Sequence, residues 1–145
     1  HPYLLGVLLG DGALSRGSVS FTPGDEDVPK LVASLIPDRL RIVRIGKPGR
    51  AEEFRIVSAH AGAPNALLRA LRDLGLEGLR SHERFVPASY LFAPVLDRIE
   101  LLRGLLDTDG EVRWDGHVEY CTTSKALAEA VMFLVQGLGG RHACV

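Results

Sequence analysis

Asp11 and Asp109 are the residues around which chemistry could assemble. Each closes an apolar run and is followed by glycine: Leu4-Leu5-Gly6-Val7-Leu8-Leu9-Gly10-Asp11-Gly12 and Leu102-Arg103-Gly104-Leu105-Leu106-Asp107-Thr108-Asp109-Gly110. The third and seventh positions are small in both, Gly6 and Gly10 or Gly104 and Thr108, so they share one face of a helix. A glycine inside a helix costs about 1 kcal/mol against alanine, and close approach of a second helix would offset that. A carboxylate at a helix C-terminus faces the negative end of the helix dipole, which costs a few tenths to about 1 kcal/mol. The same placement in two matched runs predicts that the helices pack together and that a cation sits between the acids. Two carboxylates meeting in this way hold a hard divalent cation beside a phosphodiester. Without the cation they would raise each other's pKa. Gly12 and Gly110 are expected to take the left-handed turn that follows many helices.

These helices need a scaffold. Pro2 suits a first helical turn. Ser15 to Thr22 alternates as a half-buried strand, and Asp25 to Pro37 reads as a short helix. Leu40–Ile45 and Glu53–Ser58 read as strands joined by Gly46-Lys47-Pro48-Gly49. Asn65–Leu74 reads as an amphipathic helix with Leu67, Leu68, Leu71 and Leu74 inward. The order is helix, two strands, helix, two strands, helix. A Gly-, Ser- and Pro-rich connector then leads to a second motif helix over Leu96–Asp109. A hairpin turning at Asp115-Gly116 and a helix over Lys125–Leu138 follow, and a strand begins at His142. The expected divisions are a first unit over residues 1–80, a connector over 81–95, and a second unit over 96–145 whose final hairpin and helix are missing.

Both runs resemble the LAGLIDADG motif of homing endonucleases. Arg84-Phe85-Val86-Pro87, Tyr90-Leu91-Phe92, the second motif, and Thr122-Thr123-Ser124 before Leu127-Ala128 resemble, in that order, the endonuclease region of bacterial inteins. The resemblance implies a mixed α/β (α+β) fold of two pseudo-symmetric units, with helices packed on saddle-shaped antiparallel sheets that bind double-stranded DNA. The motif helices would form the interface, giving a monomer with an internal pseudo-dimer. Asp11 and Asp109 would bind Mg²⁺ and position water for in-line attack, giving a staggered double-strand break. Arg84 stands where similar intein endonucleases carry a catalytic lysine; it could stabilise phosphorane charge, grip the DNA backbone, or be a surface loop arginine. Sheet residues expected to contact DNA are Arg16, Ser18, Ser20, Arg41, Arg44, Lys47, Arg55, Arg113, Glu119 and Thr123.

Composition sets limits on these readings. The chain has 145 residues, 46% of them hydrophobic, enough for a packed interior. Arg and Asp interrupt every long apolar stretch, so no membrane span is expected, and no secretory signal pattern opens the chain. The resemblance implies a bacterial cytoplasmic, nucleoid-associated setting. Cys121 and Cys144 lack metal-site spacing and read as buried strand residues. The net charge of −1 is low for a DNA enzyme, yet Arg39, Arg41, Arg44, Lys47, Arg50 and Arg55 cluster in one window. Asp107 reads as a structural acid rather than a ligand. Asn65 is the only asparagine and His1 is not a splicing nucleophile, so the segment fits an intein or host protein of which it is one part. The alternatives are a catalytically degenerate intein endonuclease that only binds DNA or aids folding, an RNA-binding maturase, and a small-molecule metalloenzyme with a closed apolar pocket.

Overall fold

A computed structural model describes residues 1–46 and 51–141. The expected DNA contact Lys47, most of the expected turn around it, Cys144 and the strand expected from His142 lie outside the described residues. The first helix, α1 (Pro2–Asp11), is apolar on every side, and Tyr3 to Leu9 are all buried. Such a helix belongs in a core rather than on a surface. Its partner is α5 (Val95–Asp109), in which Leu101, Gly104 and Leu105 are buried.

Glycine decides how closely the two approach. A side chain on Gly6 would meet the Leu105 nitrogen at 2.8 Å and the Gly104 carbonyl carbon at 2.9 Å. One on Gly104 would meet the Val7 nitrogen at 2.9 Å and the Gly6 Cα at 3.1 Å. Further along, a side chain on Gly10 would collide with the Thr108 hydroxyl. Pairing Gly6 with Gly104 and Gly10 with Thr108 fixes α1 and α5 running in the same direction. Thr108 turns its hydroxyl back onto the Gly104 and Leu105 carbonyls, at 3.1 and 3.0 Å, so the polar group is satisfied inside its own helix.

Each motif helix feeds straight into a strand. β1 (Gly12–Ser15) and β2 (Ser18–Phe21) form a hairpin, and β3 (Leu40–Arg44) and β4 (Phe54–Ser58) extend it to an antiparallel sheet in the order β1-β2-β4-β3. The expected single strand over Ser15–Thr22 is thus the second arm of a hairpin that turns at Arg16-Gly17, with Gly17 at a φ of 82°. Gly12 and Gly110 are extended, at φ −77° and −92°, and not left-handed as expected. The chain does not turn back after Asp11 or Asp109; it continues directly into β1 and, after α5, into β5 (Gly110–Val112).

Directly paired residues share a face, which divides the larger sheet. Leu14, Val19, Phe21, Phe54, Ile56, Leu40 and Ile42 face the helices and join the core, with Phe21 stacked on Phe54 at 5.8 Å. Ala13, Ser15, Ser18, Ser20, Arg55, Val57, Arg41 and Val43 form the other face. Helices α2 (Asp27–Leu35) and α3 (Ala66–Asp73) contribute Val28, Val32 and Leu71 to the core. Asn65 caps α3, accepting from the Leu67 amide at 2.9 Å and donating to the Ile56 carbonyl at 2.8 Å.

The connector is not a loose tether. It contains a short 3₁₀ turn (Ser81–Glu83), buried Arg84 and Val86, and α4 (Ala88–Leu91). Beyond α5, β5 pairs with β6 (Val118–Tyr120) as a two-stranded hairpin, and α6 (Lys125–Gly137) packs on α5 through Leu127, Ala130, Val131 and Leu134. Gly110 pairs with Tyr120 and Val112 with Val118, repeating the pairs Gly12–Phe21 and Leu14–Val19. In the first hairpin Leu14 and Val19 are buried; in the second Val112 and Val118 are 73% and 55% exposed, and nearby Trp114 is 93% exposed. The result is a mixed α/β fold with antiparallel sheets, as expected. No helix among the described residues is long and apolar enough to cross a membrane.

Candidate active site

The helix crossing delivers both acids to one place. Asp11 lies five residues beyond Gly6, and Asp109 five beyond Gly104, so equal lengths of parallel helix run from the crossing to each carboxylate. A side chain on Gly10 would lie 3.3 Å from an Asp109 carboxylate oxygen, so that carboxylate rests against the end of α1. Both acids line an open cavity of about 440 Å³, together with Arg84, Cys121, Thr122 and Thr123. Burial pushes the Asp11 carboxyl above its ordinary pKa, and the charge of Asp109 pushes it further; the Thr22 amide and Arg84 oppose this. Burial also raises Asp109, again opposed by Arg84. Two part-buried acids held in this way favour a cation between them.

Arg84 is not the surface arginine that a loop position allowed. It is 6% exposed, and its guanidinium lies under the end of α1. One Nη donates to the Leu9 and Gly10 carbonyls at 2.9 and 2.7 Å, and the other donates to the Gly12 carbonyl. The cation expected to relieve the helix dipole is therefore partly built in, at the C-terminus of α1. Burial lowers the Arg84 pKa while Asp109 and Asp11 raise it. Guanidinium basicity keeps the side chain charged regardless.

Tyr120 stands beside the acids. Burial of its hydroxyl, then the charge of Asp109, raises its pKa, and Thr122 and Arg84 oppose this. Cys121 was expected to be a buried strand residue. It is exposed instead, just past the end of β6, with its amide donating to the Asp109 carbonyl at 3.2 Å. Asp107 is structural, as expected: the Tyr3 hydroxyl donates to it at 2.9 Å, and Arg103 lies 3.7 Å away. No group of three or more His, Cys, Asp or Glu with metal-binding geometry occurs among the described residues. Two carboxylates still fit Mg²⁺, which keeps several waters and is commonly held by one or two carboxylates plus substrate phosphates.

The expected DNA contacts divide by position. Arg41 and Arg55 are exposed on the outer sheet face, and Ser18 is half-buried on the same face. Ser20 shares that face but is 4% exposed, because it lies in a strand flanked on both sides, between Ala13 and Arg55. Its hydroxyl is not offered to a ligand. Arg44 pairs with Phe54 and so points to the opposite face, where it forms an ion pair with Glu52. Arg16 lies in the β1–β2 turn and not on a strand, with its stem against Gly78. Arg113 and Glu119 are exposed but bonded to each other across the second hairpin. Thr123 is exposed at the cavity. Sequence reasoning gave no role to Ser124, which is 1% exposed and bridges Arg84 to α6; its position just before a helix is an N-cap signal.

Comparison with known proteins finds matches. Residues 97–141 match the family model described as LAGLIDADG-like domain. The chain is 34% identical over 140 residues to the replicative DNA helicase DnaB of Mycobacterium intracellulare, covering 97% of this chain and 19% of that protein. It is 36% identical over 150 residues to the protein of the same name from Rhodothermus marinus, covering 94% and 16%. It is 32% identical over 152 residues to that from Nostoc sp., covering 94% and 17%. The chain thus spans less than a fifth of the length of these relatives.

Proposed function

We propose that the chain, whose residues 97–141 match the LAGLIDADG-like domain model, is the homing-endonuclease region of an intein inserted in a larger protein, and that it hydrolyses both strands of a specific DNA site. The observation that carries this reading is the meeting of Asp11 and Asp109 at the ends of two parallel glycine-faced helices, on an open cavity beside Arg84. Matches running through nearly all of this chain but a minor part of three helicases support an embedded segment.

In this reading Asp11 and Asp109 would hold Mg²⁺ and would orient the attacking water toward a scissile phosphate. When bound, Mg²⁺ supplies positive charge against which the phosphodiester's developing negative charge is stabilised. The raised carboxyl pKa values favour cation capture, because a cation removes the repulsion that burial enforces. Arg41 and Arg55 on the outer sheet face grip the duplex, with Ser18 beside them. Thr123 approaches the phosphates from the cavity edge. The protein acts in the bacterial cytoplasm, wherever its target DNA lies.

The test is linearisation of supercoiled plasmid carrying the uninterrupted insertion site, in the presence of Mg²⁺. Wild type should linearise it; Asp11→Asn and Asp109→Asn should abolish cutting and still bind the site. Failure of wild type to cut while it retains the DNA would establish the second reading, a degenerate endonuclease that only binds. The engagement of both Arg84 Nη atoms with carbonyls at the end of α1 and the start of β1 favours that alternative, because it leaves less of the guanidinium for phosphate.

A further inference from the structure

A continuous line of hydrogen bonds passes beneath the two acids. It begins at α6, whose first turn is capped by Ser124: the Leu127 amide donates to its Oγ at 3.1 Å. The same hydroxyl donates to the Arg84 backbone carbonyl at 2.6 Å. Arg84 then donates to the carbonyls of Leu9, Gly10 and Gly12. Asp11 lies between the last two of these residues. Both bridging side chains are buried, Arg84 to 6% and Ser124 to 1% exposure, so solvent does not compete for these bonds.

We propose that Arg84 and Ser124 are positioning residues, a clasp that joins the start of α6 to the end of α1 and so sets Asp11 against Asp109. The proposal rests on the reading of the acid pair as the metal-holding site. The helix crossing fixes α1 only as far as Gly10. Beyond it the chain must leave the helix at a defined angle, because Gly12 is already extended. Three carbonyls turned toward one point at that exit would be costly if left unpaired. A planar guanidinium, with donors spread in a fork, answers all three. A lysine ammonium is a point donor on a flexible stem and cannot reproduce that spread, so Arg84→Lys keeps the charge and loses the geometry. The Nε donor is buried without a partner among the described residues. Three of the five N–H donors are thus held by protein carbonyls.

The test uses the whole chain as wild type, Arg84→Lys, Ser124→Ala and Ser124→Thr. Amide hydrogen exchange, Mn²⁺ binding by electron paramagnetic resonance, and affinity for the target DNA are measured on each. Arg84→Lys and Ser124→Ala should speed exchange at residues 12–14 by tenfold or more and weaken Mn²⁺ binding about tenfold, with DNA affinity within twofold of wild type. Ser124→Thr, which keeps both the cap and the donor, should restore both properties. Unchanged exchange at residues 12–14 in folded Arg84→Lys and Ser124→Ala overturns the clasp, as does equal loss of Mn²⁺ and DNA binding, which marks general loosening. If Ser124→Ala does not fold, Arg84→Lys and Ser124→Thr carry the same comparison. Faster exchange at residues 12–14 in a protein whose wild type neither binds Mn²⁺ nor cuts DNA upholds the clasp and defeats the metal-site reading.

Discussion

Replacing Gly104 by alanine tests the helix crossing on which the site depends. The new Cβ would meet the Tyr3 carbonyl oxygen, the Val7 nitrogen at 2.9 Å and the Gly6 Cα at 3.1 Å. All three are backbone atoms of α1, so no side-chain rotation relieves the overlap. Forcing a methyl group into a packed core costs about 1–3 kcal/mol, and backbone obstruction places this case at or above the top of that range. Alanine's helix preference returns about 1 kcal/mol. The net loss is about 2 kcal/mol, which at this chain length lowers Tm by about 8 °C. Thermal unfolding followed by circular dichroism measures it. Gly24→Ala is the control, because nothing lies within 4 Å of a Cβ built there. Gly6→Ala should act like Gly104→Ala, and the double variant should lose less than the sum, since the first methyl already parts the helices. A Gly104→Ala protein melting at or above wild type would refute the close crossing, because it would be showing the ordinary gain of alanine over glycine in an unobstructed helix.

Three further outcomes follow from the same geometry. Gly10→Ala should cost less stability than Gly104→Ala, since it meets the movable side chains of Thr108 and Asp109, yet it should lower the cleavage rate at least tenfold by displacing Asp109; a normal rate in plasmid cutting counts against the site. Asp11 and Asp109 have folded pKa values above their unfolded ones, so the folded chain holds protons to higher pH and stability falls as pH rises from about 4 through the raised values. Asp11→Asn and Asp109→Asn should therefore raise the urea midpoint at pH 7 and flatten that slope; lower midpoints for both would show that the acids are not in conflict. Arg41→Ala and Arg55→Ala should each weaken DNA binding and reduce the salt dependence by about one phosphate contact, while Arg44→Ala should change neither, as read from binding at several salt concentrations.

Much of the frame was legible because it depends on local pattern. β3, β4, α3 and α6 begin and end within a residue or two of their expected limits, since alternation, caps and terminal glycines mark them. The small faces of α1 and α5 were legible as well, because glycine inside an apolar helix needs a reason. What the residues concealed was set by distant contacts. Gly12 looked like a turn residue, but β1 starts there only because β2 waits to pair with it. Ser20 alternates like a surface residue, yet neighbouring strands on both sides cover it. Arg84 carried no local sign that two carbonyls of a helix and one of the strand after it, all more than seventy residues earlier, would gather around it. Arg44 is a different case: strand parity alone separates it from Arg41, so its misplacement was avoidable.

The two hairpins that continue the motif helices are unequal in support. The first lies in a four-stranded sheet with Leu14 and Val19 sealed beneath it, whereas the second has three-residue strands with Val112 and Val118 open to water. An isolated two-stranded ribbon is only marginally stable. The cavity-lining Cys121 and Thr122 directly follow that weaker ribbon, so the acidic cleft has one stiff jaw and one compliant jaw. A substrate entering it would be gauged by the rigid side, and the soft side would adjust to whatever arrives.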